Sequence, residues 1–348
     1  MAEREGFEPS IRFWRILTFQ ASAFDHSATA PHALERAALP VAAGLGKPGA
    51  AWHHGVMLKL LIALLAPIAA VAAAVPATAQ TAPSPAEAAP GDWHAIPDDE
   101  ILVITLAGGH QAYIRLAPRY APAHVANIRK LAMARWWDGT SVYRVQDDYV
   151  TQWGDATEKK ALPPLVIANP PAEYEWDGYD GVTSLARPDS YAAKTGHSAD
   201  GWSLASDGAH SWLPHCYGAV GVARDVAPST GSGSELYTVI GHAPRHLDRN
   251  IAIVGRVIEG MRWLSSLPRG TGQLGVYESA AERVPVLSVR LASQLPDDER
   301  PHFEYRATDN PRFAAWIANR ENRKSDFFTV PAGGVDICNA EAPVRRVQ

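Results

Sequence analysis

Short apolar runs bounded by turn-forming residues dominate the sequence from Glu100 onward, and they constrain its fold more than any other feature. Two of them, 101–106 and 111–116, are rich in β-favouring residues and are joined by Ala-Gly-Gly-His, the signature of a β-hairpin. Further strand-like runs lie on both sides of a polar pair in 141–154, and others recur at 217–224, 235–242, 252–260 and 284–292.

Helical spacing is found at two places among these runs. One helix is predicted after Pro122, where Val125, Ile128 and Leu131 recur at helical spacing, and a short one is predicted over Met261–Leu267. Many short strands with two helices around them predict an α+β, mainly β protein, built as a closed antiparallel β-barrel capped by two helices.

Compositional changes give the boundaries around this barrel domain, which is predicted over 99–294. A long, loop-dominated insertion, rich in Pro, Gly, Ser, Asp and Trp, interrupts it at about 156–214. The sequence leaves open whether this insertion is a surface excursion or a lid or partner-contact loop. Residues 295–348 form a C-terminal extension with one predicted helix, Arg312–Asn322, and we expect the extension to pack on the barrel.

The N-terminal part of the chain has the layout of an export signal. Residues 57–79 begin with Met57 and Lys59, continue as an apolar run and end in Ala-Thr-Ala, which predicts a cleaved signal peptide. We infer that Met57 is the true start and that 1–56 is a non-native leader. The alternative is a cytoplasmic tail before an uncleaved anchor. The Ala/Pro-rich residues 80–98 are predicted to form a flexible tether.

Charge and cysteine content narrow the classes of partner. The net charge is −5 and no basic run occurs, so nothing indicates nucleic-acid binding. The two cysteines, Cys216 and Cys338, lie in no Cys/His cluster, which argues against a zinc site. They could form one disulfide in an oxidising compartment, but their spacing does not show that they meet. We expect a monomer.

The segment DGTSVYRVQDDYVTQWGD, which follows the predicted hairpin and helix, resembles the core motif of the cyclophilins, DGTxFHRVxxxFxxQGGD. Tyr149 stands where the family has Phe. The preceding APAHVANIRKLA resembles the first helix of the family, and two looser similarities continue to about residue 268. The motif positions that match at identical spacing are Asp138, Gly139, Thr140, Arg144, Val145, Gln152, Gly154 and Asp155.

This resemblance implies a cyclophilin-like barrel and a bacterial, exported peptidyl-prolyl cis-trans isomerase with Arg144 and Gln152 as catalytic residues. A donor aimed at the prolyl nitrogen stabilises the twisted amide, in which that nitrogen gains a lone pair, and not the planar ground state. Arg144 fits this role because its guanidinium is rigid and always charged. No cofactor or metal is required. Gln152 would bind the substrate backbone. The residues implied to line the proline pocket are Tyr149, Val150, Leu236, Tyr237 and Leu247.

Four positions depart from the family at the implied binding site. Glu235 replaces a Gln that contacts the peptide backbone, and an ionised Glu can only accept hydrogen bonds. His246 replaces a Trp, Ile251 replaces a His, and Arg224 replaces an Asn that holds the substrate backbone. We therefore expect Arg224, Glu235 and His246 to bind substrate with an altered peptide preference.

These patterns are compared with three possible functions. The first is a periplasmic prolyl isomerase that assists the folding of exported proteins, with proline-containing polypeptides as partners and no stable membrane insertion after signal cleavage. The second is a cyclophilin-like binding module or chaperone with little turnover, which the departures at Glu235, Arg224 and His246 favour. The third is an unrelated exported barrel that binds carbohydrate or envelope components, which does not explain the motif from Arg144 to Asp155.

Overall fold

The computed structural model describes residues 86–347. The predicted leader (1–56), the signal peptide (57–79) and residues 80–85 lie outside this range. The described helices are α1 (Pro122–Met133), α2 (Arg262–Ser265) and α3 (Pro311–Glu321). The described strands are β1 (Trp93–Ala95), β2 (Ile101–Leu106), β3 (His110–Leu116), β4 (Ser141–Val145), β5 (Val150–Gly154), β6 (Trp176–Asp177), β7 (Thr183–Ser184), β8 (Lys194–His197), β9 (Ser203–Ser206), β10 (His210–Trp212), β11 (Ala219–Val222), β12 (Leu236–Val239), β13 (Ile253–Glu259), β14 (Val284–Leu291), β15 (His302–Arg306) and β16 (Val344–Val347).

Eight of these strands close into an antiparallel barrel in the order β11-β12-β5-β4-β14-β2-β3-β13, with β13 paired back to β11. This confirms the predicted fold class. Strands β2 and β3 form the predicted hairpin, and Gly108 at its turn has a φ of 82°, a left-handed conformation that costs glycine little.

Two helices complete the apolar interior of the barrel. Pro122 begins α1, and the buried face of α1 contributes Val125, Ile128 and Leu131 to the same cluster as the interior strand residues. Leu264 of the short helix α2 is fully buried in this cluster. Because adjacent strand residues point to opposite faces, the remaining positions of each strand lie on the outer face of the barrel.

The insertion is mostly irregular, as expected, but it also contains a small sheet that the sequence patterns did not indicate. Strands β6 to β10 pair in the order β6-β10-β9-β8-β7. These strands are two to four residues long, and their buried positions include polar residues such as Ser203 and Ser206. Their apolar periodicity is therefore too short to detect from the sequence.

Residues 86–98 are a correction to the predicted tether. Strand β1 pairs with β15, which also pairs with β16, and Asp92 accepts hydrogen bonds from the guanidinium of Arg312. This hydrogen bonding lowers the pKa of Asp92 to about 2. The Ala/Pro-rich composition gives no sign of this order, because the partners lie far away in the sequence. Asp92 and Arg312, for example, are 220 positions apart.

The C-terminal extension contacts both the barrel and the insertion. Phe303 of β15 is buried in a cluster with Ile101 and Val103 of barrel strand β2. Helix α3 buries Phe313 in another cluster, which contains Cys216. Helix α3 spans Pro311–Glu321, one residue earlier at each end than predicted, because Asn310 caps it by accepting a hydrogen bond from the Phe313 N–H at 3.0 Å.

A disulfide bond joins Cys216, just before β11, to Cys338 in the extension, with a Cα–Cα distance of 5.0 Å. The bonded pair settles the question that the sequence spacing left open. Arg115 makes a second connection between the parts of the fold, because its guanidinium lies 4.8 Å from the ring centroid of Trp202 and 4.4 Å from that of Tyr305. Burial lowers the pKa of Arg115 to about 10. None of the helices within residues 86–347 is long and apolar enough to cross a bilayer.

Candidate active site

Three neighbouring barrel strands place the central candidate residues in one row. Arg144 of β4 pairs with Gln152 of β5, and Gln152 pairs in turn with Tyr237 of β12. Residues that face each other across paired strands point to the same side of the sheet. The row is on the outer face, because the neighbouring residue on β5, Trp153, belongs to the interior cluster.

A β-bulge in β4 determines which side chains reach this face. Val142 pairs with Trp153 and Arg144 pairs with Gln152, so Tyr143 is an extra residue between them. A bulge allows consecutive side chains to lie on one side of a strand. Tyr143 and Arg144 therefore both face the site, where Tyr143 contacts Gln152.

The guanidinium of Arg144 is buried and held by oxygen acceptors that carry no charge. Its Nε donates to the carbonyl of Leu274 at 2.9 Å, Nη1 donates to Oε1 of Gln152 at 3.0 Å, and Nη2 donates to Oε1 of Gln146. The guanidinium carbon also lies 5.8 Å from the ring centroid of Tyr149. Burial lowers the pKa of Arg144, yet arginine stays protonated in proteins. The site thus holds a fixed positive charge that these acceptors do not neutralise.

Most of the predicted pocket residues lie together beside this row. Val150 and Tyr237 are buried in one outer-face cluster, and Tyr149 is packed against it. His246 is exposed and stacks on Tyr149, with ring centroids 6.0 Å apart and an interplanar angle of 2°. Leu247, half-buried, follows His246 in the short turn Arg245–Leu247. An apolar surface therefore adjoins the Arg144 guanidinium.

Leu236 is a correction, because the structure places it inside the barrel and not in the pocket. It is fully buried in the interior cluster and pairs with Trp153, another interior residue. The side chains of adjacent strand residues alternate between faces, so Leu236 and Tyr237 cannot both line an outer pocket. A period-2 assignment along β12 would have separated them.

Arg224, predicted to bind substrate, donates its hydrogen bonds to backbone carbonyls of the protein. Its Nε and Nη2 both donate to the carbonyl of Asn250, at 3.0 and 2.8 Å, and Nη1 donates to the carbonyl of Asp225 at 2.8 Å. The guanidinium also lies 5.5 Å from the ring centroid of Tyr174 in the insertion. In this arrangement Arg224 connects the loop after β11 to the insertion.

Glu235 is connected to Gln152 and Arg144 through Tyr143, a residue that the sequence patterns did not indicate. The Tyr143 hydroxyl donates to Oε2 of Glu235 at 2.8 Å, and the Asp155 backbone N–H donates to Oε1 at 2.7 Å. A Cβ at Gly154 would lie 2.0 Å from Oε2, so the carboxyl group fits only because this motif position is glycine. Burial raises the pKa of Glu235 to about 7.

A second set of buried hydrogen bonds connects Tyr237 of the pocket to Trp212 of the insertion, whose indole N–H donates to Oδ2 of Asp248 at 2.9 Å. The His215 ring is fully buried, and its Nδ1 donates to Oδ1 of Asp248 at 2.9 Å. In the neutral ring, Nε2 then accepts from the Tyr237 hydroxyl, also at 2.9 Å. Gly221 makes room for this hydroxyl, since a Cβ there would lie 2.3 Å from it.

Replacing Tyr237 with Phe is expected to reduce the free energy of unfolding by about 1–3 kcal/mol, because His215 would keep a buried nitrogen without a partner. Urea denaturation measures this change. Tyr113→Phe is the matched control, since the Tyr113 hydroxyl donates to Gln111 in an exposed hydrogen bond, and it should change stability by less than about 0.5 kcal/mol. Equal effects of the two substitutions would contradict the buried hydrogen bond.

The insertion forms part of the surroundings of the pocket. Its residues Trp202, Leu204 and Leu213 are buried in the same cluster as Val150 and Tyr237. Within residues 86–347, no group of three or more His, Cys, Asp or Glu side chains is placed to bind a metal ion.

A closed eight-stranded barrel with an arginine and a glutamine beside an outer apolar surface is the arrangement that the sequence motif predicted for a protein of the prolyl isomerase class. The family model described as "Cyclophilin type peptidyl-prolyl cis-trans isomerase/CLD" matches residues 102–291, more than half of the chain. The chain therefore belongs to the cyclophilin family of peptidyl-prolyl cis-trans isomerases.

Two solved structures are similar to this chain to different degrees, and the first of them supports the fold. The crystal structure of a cyclophilin from Hirschia baltica is 24% identical, with a TM-score of 0.57, over 74% of this chain and 94% of that chain. A cyclophilin-type isomerase of Cryptosporidium parvum, crystallised in the presence of the dipeptide Ala-Pro, is 12% identical, with a TM-score of 0.35, over 55% of this chain and 98% of that chain. No curated protein sequence matches this chain.

Proposed function

We propose that this protein isomerises X-Pro bonds in exported polypeptides, and that Arg144 supplies the hydrogen bond that stabilises the twisted amide. The observation that carries the proposal is the buried Arg144 guanidinium, held by neutral acceptors next to the apolar cluster of Val150 and Tyr237. Membership of the cyclophilin family supports the reaction type.

The proposed mechanism needs only binding and electrostatic stabilisation. Rotation about the amide has a barrier of ~18–20 kcal/mol, since resonance holds the bond planar. As the bond twists, the prolyl nitrogen becomes a hydrogen-bond acceptor, and a donor already in place costs no reorganisation at that moment. Arg144 is such a donor because its own acceptors fix its plane.

Gln152 is proposed to orient the peptide while it also holds Arg144. Its Oε1 accepts from Arg144 and its Nε2 donates to Tyr143. An amide carbonyl accepts twice and an amide nitrogen carries two hydrogens, so each end of Gln152 keeps the capacity for one more hydrogen bond. Tyr149, Val150 and Tyr237 are proposed to contact the proline ring, with His246 at the rim.

The proposed site of action is the periplasm, after cleavage of the signal peptide 57–79 and without a membrane-inserted segment thereafter. The disulfide between Cys216 and Cys338 supports an oxidising compartment. N-terminal sequencing of the exported protein is expected to find a first residue near Gln80, and retention in the cytoplasm would contradict the proposal. Because every group proposed to act comes from one chain, we propose that the monomer is the functional unit.

The catalytic proposal is tested by exchange measurements on short X-Pro peptides with the purified exported protein. We expect cis-to-trans exchange to be much faster than the uncatalysed reaction, which takes tens to hundreds of seconds. Peptide binding without faster exchange would contradict the proposal and favour a binding module or chaperone with little turnover.

A further inference from the structure

A continuous chain of hydrogen bonds leads from the catalytic guanidinium to a carboxyl group on another strand. Arg144 Nη1 donates to Gln152 Oε1 at 3.0 Å, Gln152 Nε2 donates to the Tyr143 hydroxyl, and that hydroxyl donates to Glu235 Oε2 at 2.8 Å. Arg144, Gln152 and Tyr143 are all buried, with exposed fractions of 6 to 8%. Only the end groups of the chain can carry a charge near neutral pH.

One direction of donation, from Arg144 toward Glu235, satisfies every group in this series of hydrogen bonds. Arg144 can only donate, so Gln152 must turn its carbonyl toward Arg144 and its amide nitrogen toward Tyr143. The Tyr143 oxygen then accepts from Gln152, and its proton is left to donate to Glu235. A carboxylate is the acceptor that this direction requires, because both of its oxygens accept, one from Tyr143 and one from the backbone N–H of Asp155.

Protonation of Glu235 removes that fit. Of the two carboxyl oxygens, one then carries a proton, while the two donors Tyr143 and Asp155 N–H still point at them. If the acid donates to Tyr143, the Tyr143 proton has to turn toward Gln152. Gln152 could accept this hydroxyl proton only after a flip of its amide, and the flip would place its N–H₂ group against the guanidinium of Arg144.

We propose that Tyr143 and Glu235 are positioning residues for the isomerase, that they hold Gln152 and through it Arg144, and that only the ionised form of Glu235 does so fully. This inference rests on the proposed function, because it states how proton binding to Glu235 controls the isomerase activity of the same site. Neither residue touches the peptide, so this role for Glu235 replaces the substrate contact that the sequence predicted for it. Their role is to fix the orientation of the amide and guanidinium groups that do.

The surroundings of Glu235 place its titration in a useful range. Burial raises its pKa to about 7, with a further contribution from the negative charges of Asp155 and Glu158, while the hydrogen bonds from Tyr143 and from the Asp155 N–H act in the opposite direction. Arg144, at the far end of these hydrogen bonds, places a positive charge next to Gln152. Below this pKa the Glu235 side chain is a neutral acid, and above it the side chain is a carboxylate.

The expected result is that kcat/KM for an uncharged X-Pro peptide rises between pH 5.5 and 8.5, with a midpoint near 7 and a change of about three- to ten-fold, the worth of one internal hydrogen bond. Glu235→Gln should abolish the step and fix the activity near the low-pH level, since its amide offers one acceptor and one donor group, as the protonated acid does. Tyr143→Phe should also abolish the step. A rise that persists in either variant would overturn the proposal.

A double-substitution cycle tests whether the effects of Tyr143 and Glu235 on kcat/KM are coupled or independent. If Tyr143 and Glu235 act through the same hydrogen bonds, adding Tyr143→Phe to Glu235→Gln should lower kcat/KM by less than about two-fold further. Additive losses would contradict the chain. Tyr113→Phe, whose hydroxyl lies in an exposed hydrogen bond to Gln111, is the matched control and should leave both kcat/KM and its pH profile unchanged.

Thermal unfolding provides a readout that does not depend on catalysis. Because burial raises the pKa of Glu235 above the unfolded value of 4.5, its contribution to stability is full below pH 4.5 and is lost as the pH rises through about 7. The Tm of wild type should therefore fall relative to that of Glu235→Gln over this window. A parallel pair of Tm curves would overturn the assigned titration. Absence of catalysed exchange in wild type at every pH would instead overturn the proposed function.

Discussion

Replacing Arg144 with Ala should lower kcat/KM for X-Pro exchange by about 100-fold or more, because one preorganised hydrogen bond to a developing charge is worth ~2.7–4 kcal/mol. The Arg144 guanidinium is held in place by Leu274, Gln146 and Gln152, so its loss removes a donor whose position is already fixed. Stopped-flow exchange measurements on a short peptide give this ratio directly.

Two further variants distinguish loss of the donor from loss of charge or stability. Arg144→Lys keeps the charge but cannot reproduce three planar hydrogen bonds, so we expect activity between those of wild type and Arg144→Ala. Arg323→Ala removes an exposed arginine in the C-terminal extension and should leave kcat/KM unchanged. Full activity in Arg144→Lys would show that charge alone is sufficient and would contradict the geometric account.

Removing the disulfide with Cys216→Ala and Cys338→Ala together should lower the free energy of unfolding by about 2–5 kcal/mol. The bond joins residues 122 positions apart, and it restricts the unfolded chain over that whole length. Cys216 is also nearly inaccessible, with 1% of its surface exposed, in the cluster that contains Phe313. Urea denaturation of the oxidised protein and the double variant measures the difference.

The m-value from the same denaturation experiment reports on the compactness of the unfolded state. Without the cross-link the unfolded chain is less compact, so the m-value of the double variant should rise. Thiol titration of the wild-type protein, purified and denatured without reductant, should find no free thiol. Equal free energies of unfolding for the two proteins would contradict a stabilising role of the bond.

The barrel could be predicted from the sequence because its strands carry clear local signals. The hairpin of β2 and β3 has apolar β-rich runs on both sides of a glycine turn, and the helix after Pro122 has an apolar face at helical spacing. The motif resemblance then placed Arg144 and Gln152, which the register of β4 and β5 sets opposite each other. Local periodicity and a fixed motif spacing were sufficient for both results.

Other features depend on contacts that no local pattern contains. Tyr143 faces the site because a bulge disturbs the alternation along β4, and a bulge has no clear sequence signal at a valine-tyrosine pair. Strand β1 is ordered by β15, which lies about 200 residues later, although its own composition is typical of a tether. The error at Leu236 is different in kind, since alternation along β12 already separates it from Tyr237.

The most direct test of the role of Arg144 measures two quantities separately, the rate of cis–trans rotation in the bound peptide and the affinity for that peptide. Exchange spectroscopy of a saturating X-Pro peptide gives the rate of bound cis–trans rotation, and titration of the same peptide gives Kd. For Arg144→Ala we predict a rotation rate lower by about 100-fold or more, with Kd changed by less than about ten-fold, because the hydrogen bond forms mainly in the twisted state. An unchanged rotation rate, or a loss that appears only in Kd, would contradict the assignment of Arg144 to the twisted amide.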